Sequence, residues 1–506
     1  MNYIYKNKWL LSISVLGVIL QLGTLLNSEY GYFIDEFYYI ACATFPSAGY
    51  VDHPPLAPII LTVIINTIGT SLFAIRFLPA LLFGAVIFIT GKTTEQLGGN
   101  TFAVFVSALA VFISPVVLIM YSFYTVNAFE LFFWVSYLSV FALLLKTQES
   151  KYIIAMAVLA SLGFLSKHTM AAVVGLSVLA LLLSPQRKLL FTKNTLIAVA
   201  IAIAIISPNI IWQIQNNFIS LEFYKGQSGK NIPTPYIEGV INQLLFTHPL
   251  NALFWISGLV FTLSKEHRKT YASLGFTFIG LFVFIILSQV SRPDRIAGVY
   301  PIMFSAGAVL IEKFVTNRIF LKKLIPTIMV LAGIVFLPIS IPLLPAPVAA
   351  SYVATLGINP QIELGKTSPL PQWLADRFGW EETIKAVASA YHNLTPEEKR
   401  LCVLSAGDYG HAGALMLWKE KYDLPPVIST HNNFWIWGKG VATPQILLSI
   451  NSKKEDLEYY FEEVTIVGEI EPSPYAISWR QKQTVFISRI PKVDLREQWD
   501  SMRGFN

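Results

Sequence analysis

Three aspartates stand in the first 365 residues: Asp35, Asp52 and Asp294. Two of them share one polar segment between the first two apolar runs. It reads Tyr30-Gly-Tyr-Phe-Ile-Asp35-Glu36-Phe-Tyr-Tyr39, then Gly49-Tyr-Val-Asp52-His53-Pro54-Pro55-Leu56. Ionisable groups in or beside apolar runs are costly and default to function. Carboxylates placed there can take up a proton or hold a cation. Asp35-Glu36 also suits the first turn of a helix, where acidic residues complement the helix dipole. Eight aromatics fall within residues 30–50, more than an interface belt requires, and they suit a pocket wall. His53 could serve as a cap, while Pro54-Pro55 fixes the entry to the next helix and aims the Asp52-His53 segment.

The elements that must carry these residues are membrane helices. The chain has 506 residues, 54% of them hydrophobic and 13% charged. Its mean hydropathy is +0.55. Soluble domains carry about 25% charged residues. The charge is uneven: of 37 basic and 31 acidic residues, 16 and 18 fall in residues 366–506. A polytopic part followed by a soluble part is therefore expected. The net charge of +6 comes from the first part, where Lys and Arg read as loop residues on the positive side. No basic tract points to nucleic acid. Cys42 and Cys402 make no disulfide framework. Lys6 and Lys8 precede the first apolar run without a cleavage site, so that run reads as an uncleaved helix with a cytoplasmic N-terminus.

Apolar runs occur at 9–26, 57–71, 73–93, 101–119, 125–145, 152–166, 169–184, 195–213, 248–264, 272–289, 296–312 and 324–345. A crossing takes about 20 residues, so 57–71 and 152–166 are short. Lys146/Lys151, Arg187/Lys188/Lys193, Lys265/Arg268/Lys269 and Arg318/Lys322/Lys323 occupy alternate gaps, which should be cytoplasmic. The gaps at Lys167, 214–247 and 290–295, and everything after 346, then lie outside. Twelve crossings contradict that sidedness, so 11 or 13 are expected, with the miscount in 57–93 around Gly69. The side of Arg76 is left open by this reading.

Asp-Glu in the first outer loop, followed by Val51-Asp52-His53-Pro54-Pro55-Leu56, resembles the family 39 glycosyltransferases of the GT-C fold. These include protein O-mannosyltransferases and lipid A aminoarabinose transferases. Arg76-Phe-Leu-Pro-Ala-Leu-Leu-Phe-Gly, Gly163-Phe-Leu-Ser-Lys167-His168, and Asp294-Arg295 leading to Tyr300-Pro301 also match in order and spacing. Two departures stand out. The aminoarabinose transferases have a basic residue where this chain has Tyr38, and a Lys where it has His53. The resemblance implies a GT-C membrane protein with 11–13 transmembrane helices and a small extracytoplasmic α/β domain. It would lie in the cell membrane with its site outside.

It further implies inverting transfer of a sugar from a polyprenyl phosphate to a hydroxyl of a protein, lipid or glycan. Asp35 would be the base, with Glu36 and Asp52 holding the acceptor, a metal ion or the base itself. Cations must meet the leaving phosphate. The candidates are His53, Lys167, His168, Arg292 and Arg295. Lys167-His168 could instead snorkel to the interface, and Arg292-Pro-Asp294-Arg295 could be a self-contained surface ion pair. A divalent cation on Asp35 and Asp52 is an option that no spacing demands, and no cofactor is required. The 214–247 gap reads as a lid or as a plain connector. A transporter or flippase of lipid-linked glycans, or a different glycan ligase or polymerase, are the competing readings. Charges clustered in outer gaps, with no internal repeat, favour a membrane-face enzyme over a transporter.

The division expected is 1–345 for the membrane part with its first outer loop at 28–56, a linker at 346–370, and a soluble domain at 371–506. In the last, a helix near 380–392 precedes alternating strands and helices, the pattern of a small α/β domain. Leu370-Pro-Gln-Trp, Asp408-Tyr-Gly-His-Ala-Gly-Ala and Ser429-Thr-His-Asn-Asn-Phe-Trp resemble a tail found in bacterial members, with no role assigned. Gly407, Gly410 and Gly413 do not have dinucleotide spacing. A turn and close helix packing explain them better.

Overall fold

The computed structural model describes residues 8–290, 292–358 and 363–505. Lys6, expected to mark the inner end of the first helix, lies outside them. Among the described residues seven helices are long and apolar enough to cross a membrane. Two bent pairs bring the number to nine, and Leu56–Thr67, Lys151–Ser166 and Met170–Leu182 are shorter apolar helices. The expected run at 101–119 is one of the bent pairs: Thr101–Phe112 and Pro115–Tyr121 meet at 61°. Pro115 lacks an N–H and starts the second helix, where that donor is not needed. Tyr236–Thr247 turns by 101° into the helix that follows.

The short run at 57–71 forms a helix well below the length of a crossing. Leu56–Thr67 has 12 residues, a rise of about 18 Å against a hydrocarbon core of about 30 Å. Its start follows Asp52, and just past its end the carbonyl of Thr70 accepts from the Tyr32 hydroxyl at 2.7 Å. Both ends of this helix thus lie beside the first loop. Gly69, at φ +109°, turns the chain back into Leu72–Gln96, a conformation that favours glycine.

Every basic cluster sits at the far end of the bundle. There Lys146 donates to the Gln96 carbonyl, Glu312 accepts from the Asn100 amide, and Lys313 pairs with Glu266. The near end holds the first loop, Arg76, residues 122–127, Lys167 and residues 292–296. Glycines let the helices approach: a Cβ on Gly307 would lie 1.8 Å from the Phe254 carbonyl oxygen. Small residues at such crossings replace the missing hydrophobic drive between membrane helices with close contact.

The expected linker begins as a helix, Ala346–Thr355, with Ala346, Ala349 and Val353 buried. Its early proline and run of small residues start and propagate that helix. The tail then forms a mixed sheet of β1 (Cys402–Ala406), β2 (Val427–Ile428), β3 (Ile446–Ile450), β4 (Phe461–Ile470) and β5 (Gln483–Pro491), in the order β2-β1-β3-β5-β4. β1 is parallel to β2 and β3; β5 is antiparallel to β3 and β4. Helix Trp380–His392 falls where the pattern put it, and Tyr409–Leu417 follows β1. The tail rests on the near end of the bundle. Trp373 Nε1 donates to the Ile339 carbonyl at 2.7 Å, and Arg377 Nη2 to Ser122 Oγ at 2.7 Å.

Candidate active site

The first loop folds into a helix, Ile34–Thr44, with Asp35 and Glu36 in its first turn. Adjacent positions on a helix point about 100° apart, so the two carboxylates part company. Glu36 points inward and is fully buried. Its two oxygens accept from Arg76 Nε at 2.9 Å and Nη2 at 2.7 Å, from the Tyr124 amide at 2.8 Å, and from the Phe33 amide at 2.8 Å. Glu36, expected to hold the acceptor, a metal ion or the base, is thus engaged by four protein donors and does not line the cavity described below. Arg76, also buried, has its side of the bundle settled by this pair.

Asp35 faces a cavity of about 250 Å³ between bundle and tail. Asp52, Asp294, Asn127, Lys167, Arg292, Glu363, Lys366, Asp376, Tyr409 and Asn432 line it too. Of the eight aromatics counted in the first loop, Phe33, Tyr38 and Tyr39 form part of its wall. The Tyr409 hydroxyl donates to Asp35 Oδ1 at 2.8 Å. Burial pushes the Asp35 carboxyl up to about 6; the Tyr409 hydrogen bond and nearby Lys366 oppose that rise. Asp52 Oδ1 accepts from the Tyr38 hydroxyl at 2.8 Å.

The cations are held by partners of their own. Lys167 Nζ donates to Asn127 Oδ1 at 2.6 Å and to Glu130 Oε2 at 2.9 Å. Arg292 makes two bonds to Asp294, at 3.0 and 3.2 Å, and reaches Glu363 at 3.3 Å. Lys366 pairs with Glu363 at 2.7 Å. The other expected phosphate ligands lie elsewhere. His53 is 1% exposed, packed among Tyr38, Tyr39 and Tyr50, with Nδ1 on the Pro54 carbonyl and Nε2 3.8 Å from Asp52. The Pro-Pro turn folds it inward, behind Asp52. His168 is occupied by Tyr224 at 2.7 Å and Asn209 at 3.3 Å, and Arg295 reaches Asn231 at 3.3 Å. Neither lines the cavity.

Sequence reasoning missed Glu130, Lys366, Glu363, Asp376 and Tyr409. Glu130 stands out as the one acidic residue of the apolar segment Val126–Thr147, a signal of the kind that marked the aspartates. The tail residues carry no such signal, because charge is ordinary in a soluble domain. The 214–247 segment borders the cavity with Phe223, Gln227 and Phe246. Among the described residues no group of three or more His, Cys, Asp or Glu side chains is arranged to hold a metal ion.

Beside this cavity runs an apolar groove of about 580 Å³, lined by Leu245, Val335, Phe336 and Ile339 among others. Ile119, Phe246 and Trp373 line both spaces, so the groove opens where the charged cavity ends.

Residues 52–212 match the profile of the family described as dolichyl-phosphate-mannose-protein mannosyltransferase. The lipid A galacturonosyltransferase RgtD of Rhizobium johnstonii is 26% identical over 210 residues, 40% of this chain and 43% of that protein. The match thus spans less than half of that relative. ArnT from Cupriavidus metallidurans, solved with undecaprenyl phosphate, superposes with a TM-score of 0.60 at 12% identity, over 95% of this chain and 98% of that one. The oligosaccharyltransferase AglB from Archaeoglobus fulgidus gives a TM-score of 0.50 at 12% identity, over 88% and 70%. At such identities the likeness to both structures is one of fold. This chain thus shares the polytopic fold of those two membrane glycosyltransferases, and its residues 52–212 carry the mannosyltransferase-family match.

Proposed function

We propose that this protein transfers a sugar from a polyprenyl phosphate to an acceptor hydroxyl at the outer face of the membrane, with inversion. One observation carries the reading: a carboxylate faces fixed cations in a cavity that continues into an apolar groove. An amphiphile with a phosphate between sugar and hydrocarbon fits that sequence of surroundings. In the step, the acceptor oxygen bonds the anomeric carbon as its proton passes to Asp35. The bond from that carbon to the phosphate oxygen breaks, and the lipid phosphate leaves with the electron pair. Arg292 and Lys167, with Lys366, oppose the charge that develops there. Asp52 lies on the same wall and orients the acceptor.

Sidedness supports the outer face. Counting Lys151–Ser166 and Met170–Leu182 with the nine spans, and leaving out Leu56–Thr67, makes eleven crossings. An odd number would put the tail opposite the N-terminus, and the basic clusters at the far end favour that end as the cytoplasmic one. The rhizobial relative carries lipid A in its name, which favours a lipid-borne hydroxyl as acceptor over a protein or a free glycan.

The test is transfer of labelled sugar from a panel of undecaprenyl-phosphate sugars by the wild type and Asp35→Asn. Loss of about 10²-fold or more in the variant is expected. Undiminished transfer by Asp35→Asn removes Asp35 as base. Absence of transfer from every donor by folded wild type overturns the reading.

A further inference from the structure

Two tail segments singled out by sequence, 408–413 and 429–435, have no part in the transfer chemistry described above. Both end on the first loop. From the first, the Tyr409 hydroxyl reaches Asp35 Oδ1 at 2.8 Å. From the second, Asn433 Oδ1 accepts from the Val51 amide at 2.6 Å, and the Asn433 amide donates to the Tyr38 hydroxyl at 3.3 Å. That hydroxyl in turn donates to Asp52 Oδ1 at 2.8 Å.

The two segments are also locked to each other. The Tyr409 ring stacks on His431 with centroids 5.2 Å apart, and the Tyr409 amide donates to His431 Nδ1 at 3.0 Å. Asp408 caps the helix that carries Tyr409, accepting from the Gly410 amide at 2.7 Å and the His411 amide at 3.0 Å. Its other oxygen takes Asn451 at 2.6 Å and the His411 ring. Glycines seat this helix on the first-loop helix. A Cβ on Gly410 would lie 2.5 Å from Ile34, and one on Gly413 2.7 Å from the backbone of Phe37.

Asp35 and Asp52 stand on different pieces of chain, joined by a loop with Ser47, Gly49 and no helical register between them. A base and its neighbour need placement to about 0.5 Å. Local helix geometry fixes Asp35 but not Asp52 relative to it. We infer that the tail supplies this placement: Tyr409 and Asn433 are positioning residues that hold Asp35 and Asp52 in one geometry, which makes the tail a working part of the site. The inference rests on Asp35 acting as the base.

The test uses the full-length protein in lipid nanodiscs. Tyr409→Phe keeps the ring and its stacking and removes only the hydroxyl. It is expected to lower kcat about tenfold with donor KM within about twofold. In an Asp35→Asn background the same change should cost nothing more, because the two groups act as one unit. Asn433→Leu should lower kcat by a similar factor and speed deuterium exchange in the peptide 46–56. Asn433→Asp keeps an acceptor for the Val51 amide and should restore both. Wild-type kcat in Tyr409→Phe, equal losses in both backgrounds, or unchanged exchange in Asn433→Leu would overturn the inference. Exchange needs no substrate, so it decides whether the tail holds the loop even if no donor in the panel is used. Failure of the wild type to transfer any sugar counts against the transferase reading.

Discussion

Arg76 holds both oxygens of Glu36 in a fully buried pair, through Nε at 2.9 Å and Nη2 at 2.7 Å. Within the Asp-Glu motif this leaves Asp35 alone to face the cavity. The motif splits into one carboxylate buried in the protein and one that lines the cavity.

Breaking a buried ion pair leaves an uncompensated charge and costs about 3–5 kcal/mol. Glu36→Gln and Arg76→Leu are therefore expected to lower the melting temperature markedly, and Asp35→Asn is not. Differential scanning fluorimetry of the purified protein checks this. A Glu36→Gln protein that melts like the wild type yet transfers no sugar would return Glu36 to the chemistry.

The Asp35 carboxyl is raised to about 6, chiefly by burial. As base it must be ionised. The acid limb of kcat/KM should thus fall as pH drops through about 6, with unit slope. A limb near pH 4 would mean that the working carboxylate is a better solvated one.

The same shift has a consequence for stability. A carboxyl whose folded value lies above its unfolded value of 3.8 favours the fold below that pH, and the advantage is lost as pH rises through about 6. Asp35→Asn keeps an acceptor for Tyr409 and carries no charge. It should melt higher than the wild type above pH 6, with the gap closing below pH 4. Melting curves from pH 4 to 8 decide it; a gap independent of pH would contradict the sign.

Arg292 and Lys167 line the cavity, whereas His168 and Arg295 do not. Arg292→Lys, which loses the two-pronged geometry, and Lys167→Ala are expected to raise donor KM about tenfold. His168→Ala and Arg295→Gln should stay within about twofold of wild type. Steady-state kinetics over a series of donor concentrations distinguishes the two sets, and a reversed ranking would relocate the phosphate.

Of the cavity carboxylates, Asp294, Glu363 and Asp376 pair with Arg292, Lys366 and Arg480, which leaves Asp35 and Asp52 as the oxygen ligands for a divalent cation, while Lys167, Arg292 and Lys366 already provide positive charge. Transfer is expected to survive dialysis against EDTA with less than about a twofold change. Loss of activity that Mg²⁺ or Mn²⁺ restores would assign the pair a cation.

What the sequence determined by itself is the membrane class, and that the conspicuous acidic residues gather in the first loop at one end of the bundle. Each rests on local properties: apolar runs have a length, basic clusters have a side, and an aspartate in an apolar stretch is conspicuous. The α/β alternation of the tail was legible for the same reason, since strand and helix periods are local. Burial direction is not local. Glu36 and Asp35 are neighbours of like charge, and only the position of Arg76, 40 residues on, sends one inward. His53 turns behind Asp52 because Tyr38, Tyr39 and Tyr50 enclose it. That Leu56–Thr67 begins and ends beside the first loop shows only in the hydrogen bond that brings Thr70 back to Tyr32. Tyr409 reaches Asp35 across 374 positions, from a domain in which a tyrosine is unremarked. Periodicity and composition carry no record of such pairings, because they arise only when separate elements pack and each buried polar group must find a partner.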